Sequence, residues 1–177
     1  MKTTIIALLI ACIGLHASAQ NYKPAAGSAV QFKVTNLGFG VNGSFTGVEG
    51  TITFDSSAPA KSSFDTSIDA ATINTDNSMR DAHLKEDGYF SVKTYPRIKL
   101  VSSSITGNGK NNYVFTGTLT MKGKSQKISF PFTASASGDG WLFKGSFKIN
   151  RKDFDIGGTS TISNEVEISL NIPVTKA

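Results

Sequence analysis

The chain is poor in the residues that carry most enzyme chemistry. It holds one cysteine, Cys12, and two histidines, His16 and His83, in 177 residues. A lone cysteine cannot close an internal disulfide, and so few thiols and imidazoles exclude a Cys/His zinc site. A G-x-S-x-G nucleophile elbow is also missing, which argues against an α/β-hydrolase triad. Gly38, Gly40 and Gly43 match a dinucleotide-binding fingerprint, but that motif needs a strand, a tight turn and then a helix. Here the glycines run into Asn42-Gly43, read as a hairpin turn, and then another strand. Charge of one sign is not concentrated either. Eighteen Lys and Arg face thirteen Asp and Glu, for a net +5. The basic residues are dispersed, and the densest group, Lys122, Lys124 and Lys127, has no interleaved aromatics, so a nucleic-acid partner is not expected. A mildly positive surface remains compatible with transient contact at an anionic membrane.

Long apolar runs are confined to the first residues. Lys2 is followed by an apolar stretch from Ile5 to Leu15 and then Ala17-Ser18-Ala19. This is the order of charged, apolar and small-residue regions in a secretory signal peptide, with cleavage expected after Ala19. The run is too short to span a bilayer, which takes about 20 residues. Leu9-Ile10-Ala11-Cys12 also has the form of a lipobox, the competing processing route. The expected division is a signal peptide, 1–19, and one mature domain, 20–177. Removing Lys2 lowers the net charge from +5 to +4, and the mature chain has no thiol. A periplasmic or secreted location follows as an expectation.

From Ala29 to Val174 the dominant pattern is period-two alternation, the signature of half-buried strands. Apolar faces recur at Val30, Phe32 and Val34; Val48, Gly50, Ile52 and Phe54; and Phe64, Ile68 and Ala70. They continue at Tyr113, Phe115, Gly117, Leu119 and Met121; Ile128, Phe130, Phe132, Ala134 and Ala136; and Trp141, Phe143, Gly145, Phe147 and Ile149. Val166, Ile168, Leu170 and Ile172 close the series. Between them, Ile98 and Leu100 compete with Val101 and Ile105 for the inner register. Pro131 falls on an outward phase and marks an edge or bulge. Short Gly, Asn and Pro turns join the runs. The pattern predicts an all-β antiparallel meander of about eight strands, closed into a barrel or packed as a sandwich. One helix is expected around residues 77–87, where Ser78 and Asp81 resemble a capping box.

An eight-stranded barrel is just wide enough to be filled by side chains or to hold one small ligand. Gly50, Gly117 and Gly145 interrupt rows of large apolar residues. They either open a cavity or relieve bending at barrel corners. Arg80 and His83, on the expected helix, either meet a lipid headgroup at the mouth or dock the helix.

Met79-Arg80-Asp81-Ala82-His83-Leu84, Tyr89-Phe90-Ser91-Val92 and Tyr95-Pro96-Arg97-Ile98 together resemble the signature region of the YceI-like family. Supporting matches are Ser28–Val34, Gly43-Ser44-Phe45, Gly50-Thr51-Ile52, and Phe147–Phe154 followed by Ile156-Gly157. The resemblance extends from Tyr22 to Val174. It departs at Asn36, where many members carry His, and at Ser91, where Asp is usual. It implies a lipocalin-like barrel for a polyisoprenoid or similar amphiphile, and so favours the cavity reading. Phe32, Ile52, Phe64, Phe115, Gly117, Phe130, Phe132, Phe143, Gly145 and Phe147 are the expected lining, with Arg80 and His83 at the mouth. No catalytic residue, metal or cofactor is expected. The alternative is a non-enzymatic interaction or stress module whose barrel is filled by its own side chains. Oligomeric state is not legible.

Overall fold

The computed structural model describes residues 19–177. The expected leader lies outside the described residues except for Ala19, as does Cys12. Ten strands follow in order: β1 (Gln20–Pro24), β2 (Ala29–Asn36), β3 (Phe39–Phe45), β4 (Glu49–Phe54), β5 (Ser63–Asp69), β6 (Arg97–Gly107), β7 (Asn112–Met121), β8 (Lys124–Ser137), β9 (Gly140–Asn150) and β10 (Ile162–Lys176). All pairings between them are antiparallel. The ten segments form eight staves of one closed barrel, because two staves are each broken in the middle. β1 and β2 lie end to end along β10, at Pro24↔Val174 and Asn171↔Ala29. β3 pairs with β2, and β4 pairs with β1 and β5. The first break is held by Ser28, whose hydroxyl donates to the carbonyls of Ala25 (2.7 Å) and Pro173 (3.2 Å).

Three local expectations are corrected. Asn42-Gly43 lies inside β3, and the hairpin turns instead at Leu37-Gly38, both with positive φ. Gly43 is there for space: a Cβ would stand 2.2 Å from Cζ of Phe32, its cross-strand partner. The helix, α1, is shorter than expected, Ser78–Leu84, and its cap is Asn77, whose side chain accepts from the Arg80 amide. Asp81 makes no capping box. It reaches back to accept from the amide and hydroxyl of Thr75, at 2.9 and 2.6 Å.

The two competing registers on β6 both occur. A bulge between Ser102 and Ser104 shifts the phase, so that Ile98, Leu100 and Ile105 face inward and Val101 faces out. An extra residue in one strand is what turns the alternation over. Pro131 likewise marks a change in pairing. The β8–β9 ladder runs from Ser137↔Gly140 to Phe132↔Gly145 and stops beside it. Proline has no N–H to continue the ladder on that side.

The core has two parts. At the end bearing the β6–β7 and β8–β9 turns, Phe54 packs edge-on against Tyr113, Trp141 and Phe143 with centroids 5.0–5.2 Å apart. Trp141 Nε1 donates to the Tyr22 hydroxyl. This aromatic plug fills the barrel, with Phe115 and Ile105 fully buried. At the other end a second cluster of Phe45, Ile73, Met121, Phe154 and Ile156 packs beneath the segment carrying α1.

Candidate functional site: an apolar slot between plug and helix

Between these clusters the barrel is not filled. A chamber of about 120 Å³ lies against the plug, walled by Val30, Ile52, Phe64, Leu119, Phe130 and Phe143 among others. A second of about 120 Å³ lies toward α1, bounded by Val34, Asn36, Val41, Thr75, Arg80 and Arg151 among others. Phe45, Met121, Ile149 and Ile168 belong to both walls, so the chambers adjoin at these side chains. The inward phases of the strands, with small or branched residues where rings would otherwise meet, produce this space.

Of the residues expected to line a cavity, Ile52, Phe64, Phe130, Phe132, Phe143, Gly145 and Phe147 border the first chamber. Phe32 borders the second, stacked obliquely on Phe45 with centroids 5.6 Å apart. Phe115 and Gly117 border neither. A Cβ on Gly117 would stand 2.2 Å from the Val101 carbonyl oxygen and 2.6 Å from the Phe115 ring. Gly117 therefore admits a close approach of backbone and ring, and opens no cavity. Gly50 is likewise a backbone glycine, with φ +122° and no room for a Cβ beside the Asp65 carbonyl. Gly145 differs: a Cβ there would lie 3.2–3.3 Å from Phe132, Pro131 and Phe130, tight but with the chamber beyond it.

The two helix residues separate. Arg80 borders the second chamber, and its guanidinium donates to the Thr75 hydroxyl and carbonyl, both at 2.7 Å. Two donors of the planar fork are thus spent on positioning, and others remain for a second partner. His83 lies outside the lining. It is exposed, pairs with Glu86 at 3.1 Å and packs edge-on against Tyr89. Its surroundings are those of a surface residue that braces the helix.

Arg151 was not anticipated as part of the site. It continues the inward phase of Phe147 and Ile149, and an arginine on that phase was the available signal. It is 4% exposed. Nε donates to the Ser163 carbonyl, Nη1 to Ile156 and Gly158, and Nη2 to Ile162 and the Ser160 hydroxyl. All five donors are used by the loop joining β9 to β10 and by the first residues of β10, so Arg151 shapes one side of the second chamber with no donor to spare. Among the described residues, no Asp, Glu or His borders either chamber. No cluster of three such residues is placed to hold a metal ion. Both chambers are therefore almost wholly apolar, with Thr66, Ser67, Lys99 and Lys144 among the residues bordering the first and Asn36, Thr75 and two guanidinium groups bordering the second near the helix.

Comparison with known proteins places the chain among relatives. The YceI-like domain model matches residues 22–174. A UPF0312 protein of Photorhabdus laumondii is 32% identical, over 97% of this chain and 96% of that protein. The crystal structure of Burkholderia cenocepacia BcnA is 30% identical and superposes with a TM-score of 0.78, covering 84% of this chain and 96% of that one. A polyisoprenoid binding domain from Saccharophagus degradans, implicated in plant cell wall breakdown, shares the fold at TM-score 0.71 and 14% identity. That match covers 90% of this chain and all of the other.

Proposed function

The chain belongs to the YceI-like domain family, and from that premise we propose that it is an exported carrier or sequestering protein for a polyisoprenoid or similar long-chain amphiphile. The observation that carries the proposal is the almost wholly apolar lining of both chambers, with the Arg80 guanidinium beside the second. An apolar tail would lie against Phe64, Phe130, Phe143 and Phe147, and a polar head would meet Arg80 at the helix end. Burial of a chain contributes about 0.8 kcal/mol per CH₂, so a tail of modest length binds tightly with few polar contacts. The free donors of Arg80 suit a phosphate or other oxyanion head. The name of the Saccharophagus relative, a polyisoprenoid binding domain, is consistent with this reading. Export rests on the leader-like residues 1–19. We infer binding rather than catalysis because the slot offers no carboxylate or imidazole as a general base.

The aromatic plug supports a second reading, a non-enzymatic interaction module, since it already fills one end of the barrel. The two separate on ligand-linked stability. Delipidated protein supplied with a polyprenyl phosphate in mild detergent gains about 2.7 kcal/mol when free ligand reaches a hundred times Kd. At roughly 2–4 °C per kcal/mol for a domain of this size, the melting temperature rises by about 5–10 °C. A carrier shows that rise. An unchanged melting temperature would overturn the carrier reading and leave the packed module.

A further inference from the structure

The end of the barrel that holds α1 also carries apolar side chains that nothing in the molecule covers. Leu37 is 70% exposed, Phe39 77% and Met79 82%. Leu37 and Phe39 form the tip of the β2–β3 hairpin, and Met79 precedes Arg80 on α1. Phe39 is the informative one. It shares the inward phase of Val41 and Phe45 and pairs across the hairpin with Asn36, which borders the second chamber. An aromatic on the inner phase should be buried. This one projects past the rim and stands at the mouth.

Charge follows the same layout. No charged residue occurs between Lys33 and Glu49, so the whole hairpin tip is neutral. Behind it Lys33 lies along β3, its Cε 3.4 Å from where a Gly40 Cβ would be. That directs the ammonium toward the tip, as a lysine that keeps its head at a polar interface does. In the segment carrying α1, Asp76, Asp81, Glu86 and Asp87 largely offset Arg80, Lys85 and Lys93, so long-range attraction is weak there. Lys33 lies opposite Glu167 on β10, so charge roughly cancels behind the tip. It is the uncharged apolar tip itself, with a lysine reaching along it, that matches the hydrocarbon layer below the phosphates of a bilayer.

We propose that Leu37, Phe39 and Met79 insert into a phospholipid bilayer and set the mouth of the second chamber at the level of the headgroups. The inference deepens the carrier reading, on which its purpose rests: a lipid tail would pass between bilayer and slot without crossing water. Insertion itself needs only the exposed tip. Each large apolar side chain removed from water adds about ten- to a hundredfold to partitioning. Attachment should therefore survive high salt, unlike binding by charge alone.

The test uses the full mature chain and vesicles of phosphatidylcholine with a minority of phosphatidylglycerol. Trp141, the sole tryptophan, sits in the aromatic plug at the opposite end and is an internal reference. In Phe39→Trp the added emission should shift to the blue on mixing with vesicles and be quenched by brominated acyl chains, while the Trp141 component stays unquenched. Met79→Trp reports the same from the helix if the first variant folds poorly. Leu37→Asp with Phe39→Asp should lower vesicle partitioning at least a hundredfold without lowering the melting temperature. Absence of quenching in both tryptophan variants overturns the proposal, as does binding abolished by high salt. Dimerisation lost in the double variant, without quenching, identifies the tip as a contact between copies and also overturns it. A lipid adduct with no insertion defeats this inference alone; insertion by a protein that holds no lipid defeats the carrier reading alone.

Discussion

Replacing Gly145 by leucine should empty the slot of lipid while leaving the barrel folded. Gly145 lies on the inward phase of β9 opposite Leu170 and Phe132, at the wall of the first chamber. Its φ is not in the left-handed region, so a side chain meets no backbone strain. The new Cβ would contact Phe132 Cβ, the Pro131 carbonyl and the Phe130 ring at 3.2–3.3 Å, each yielding a few tenths of an ångström. On the inward phase of β9 the remaining carbons enter the chamber of about 120 Å³, although Gly145 also borders an open groove beside Pro131 and Lys144. Displacing about four methylenes of bound chain removes about 3 kcal/mol, or about two hundredfold in affinity. Overpacking costs about 1–3 kcal/mol where space is lacking, and the chamber keeps the cost at the lower end. Retention of a polyprenyl ligand through gel filtration, with circular dichroism and melting of the same samples, gives both quantities. Uptake within twofold of wild type would refute the placement of the ligand against β9.

Gly117→Ala should do the reverse, because its Cβ collides with the Val101 backbone and the Phe115 ring outside both chambers. A loss of about 3 kcal/mol, seen in urea denaturation, should accompany unchanged lipid per folded molecule. Arg151→Leu strands the carbonyls of Ile156, Ile162 and Ser163. It should cost about 3 kcal/mol and open the 157–161 loop to limited proteolysis, whereas Arg80→Leu should leave that loop resistant. The Ser57 hydroxyl, at 2.6 Å, is the main influence holding the Asp55 carboxyl below its ordinary range, with amide donors adding to it and burial opposing it. A carboxyl depressed on folding stabilises above its unfolded value, about 3.9, and loses that contribution as pH falls through the folded one. Asp55→Asn should therefore be less stable at neutral pH and show a flatter stability profile below about pH 4 in denaturant titrations.

Architecture was legible because a half-buried strand writes its burial every second residue. The inner rows of β7, β8 and β9 could be read almost residue by residue. What failed to read were places where tertiary contact decides a local feature. Gly43 carries the commonest hairpin dipeptide, yet it sits within a strand because Phe32 needs the space above it. Gly117 and Gly145 look alike in sequence, and only the tertiary contacts, the Val101 carbonyl and Phe115 ring against one and a chamber beside the other, make one structural and the other cavity-facing. The bulge on β6 explains why two registers competed there. At the site, the apolar lining followed from phase, while Phe115 was lost to the plug because depth along the barrel axis leaves no mark on alternation. Asn77 outcompeted Ser78 as the cap, freeing Asp81 to hold Thr75, which in turn positions Arg80. His83 shares the helix but faces away from the slot, a rotation that a seven-residue helix does not reveal.

Native mass spectrometry of protein produced in cells with residues 1–19 in place, followed by denaturing extraction, addresses the central claim most directly. A mature chain beginning at Gln20 with a discrete adduct of a few hundred daltons or more, released on unfolding and extracting as an isoprenoid or other long-chain lipid, is the expected result. A clean apo mass that gains no adduct after incubation with polyprenyl lipids would contradict it, and the barrel would then be a packed scaffold rather than a container.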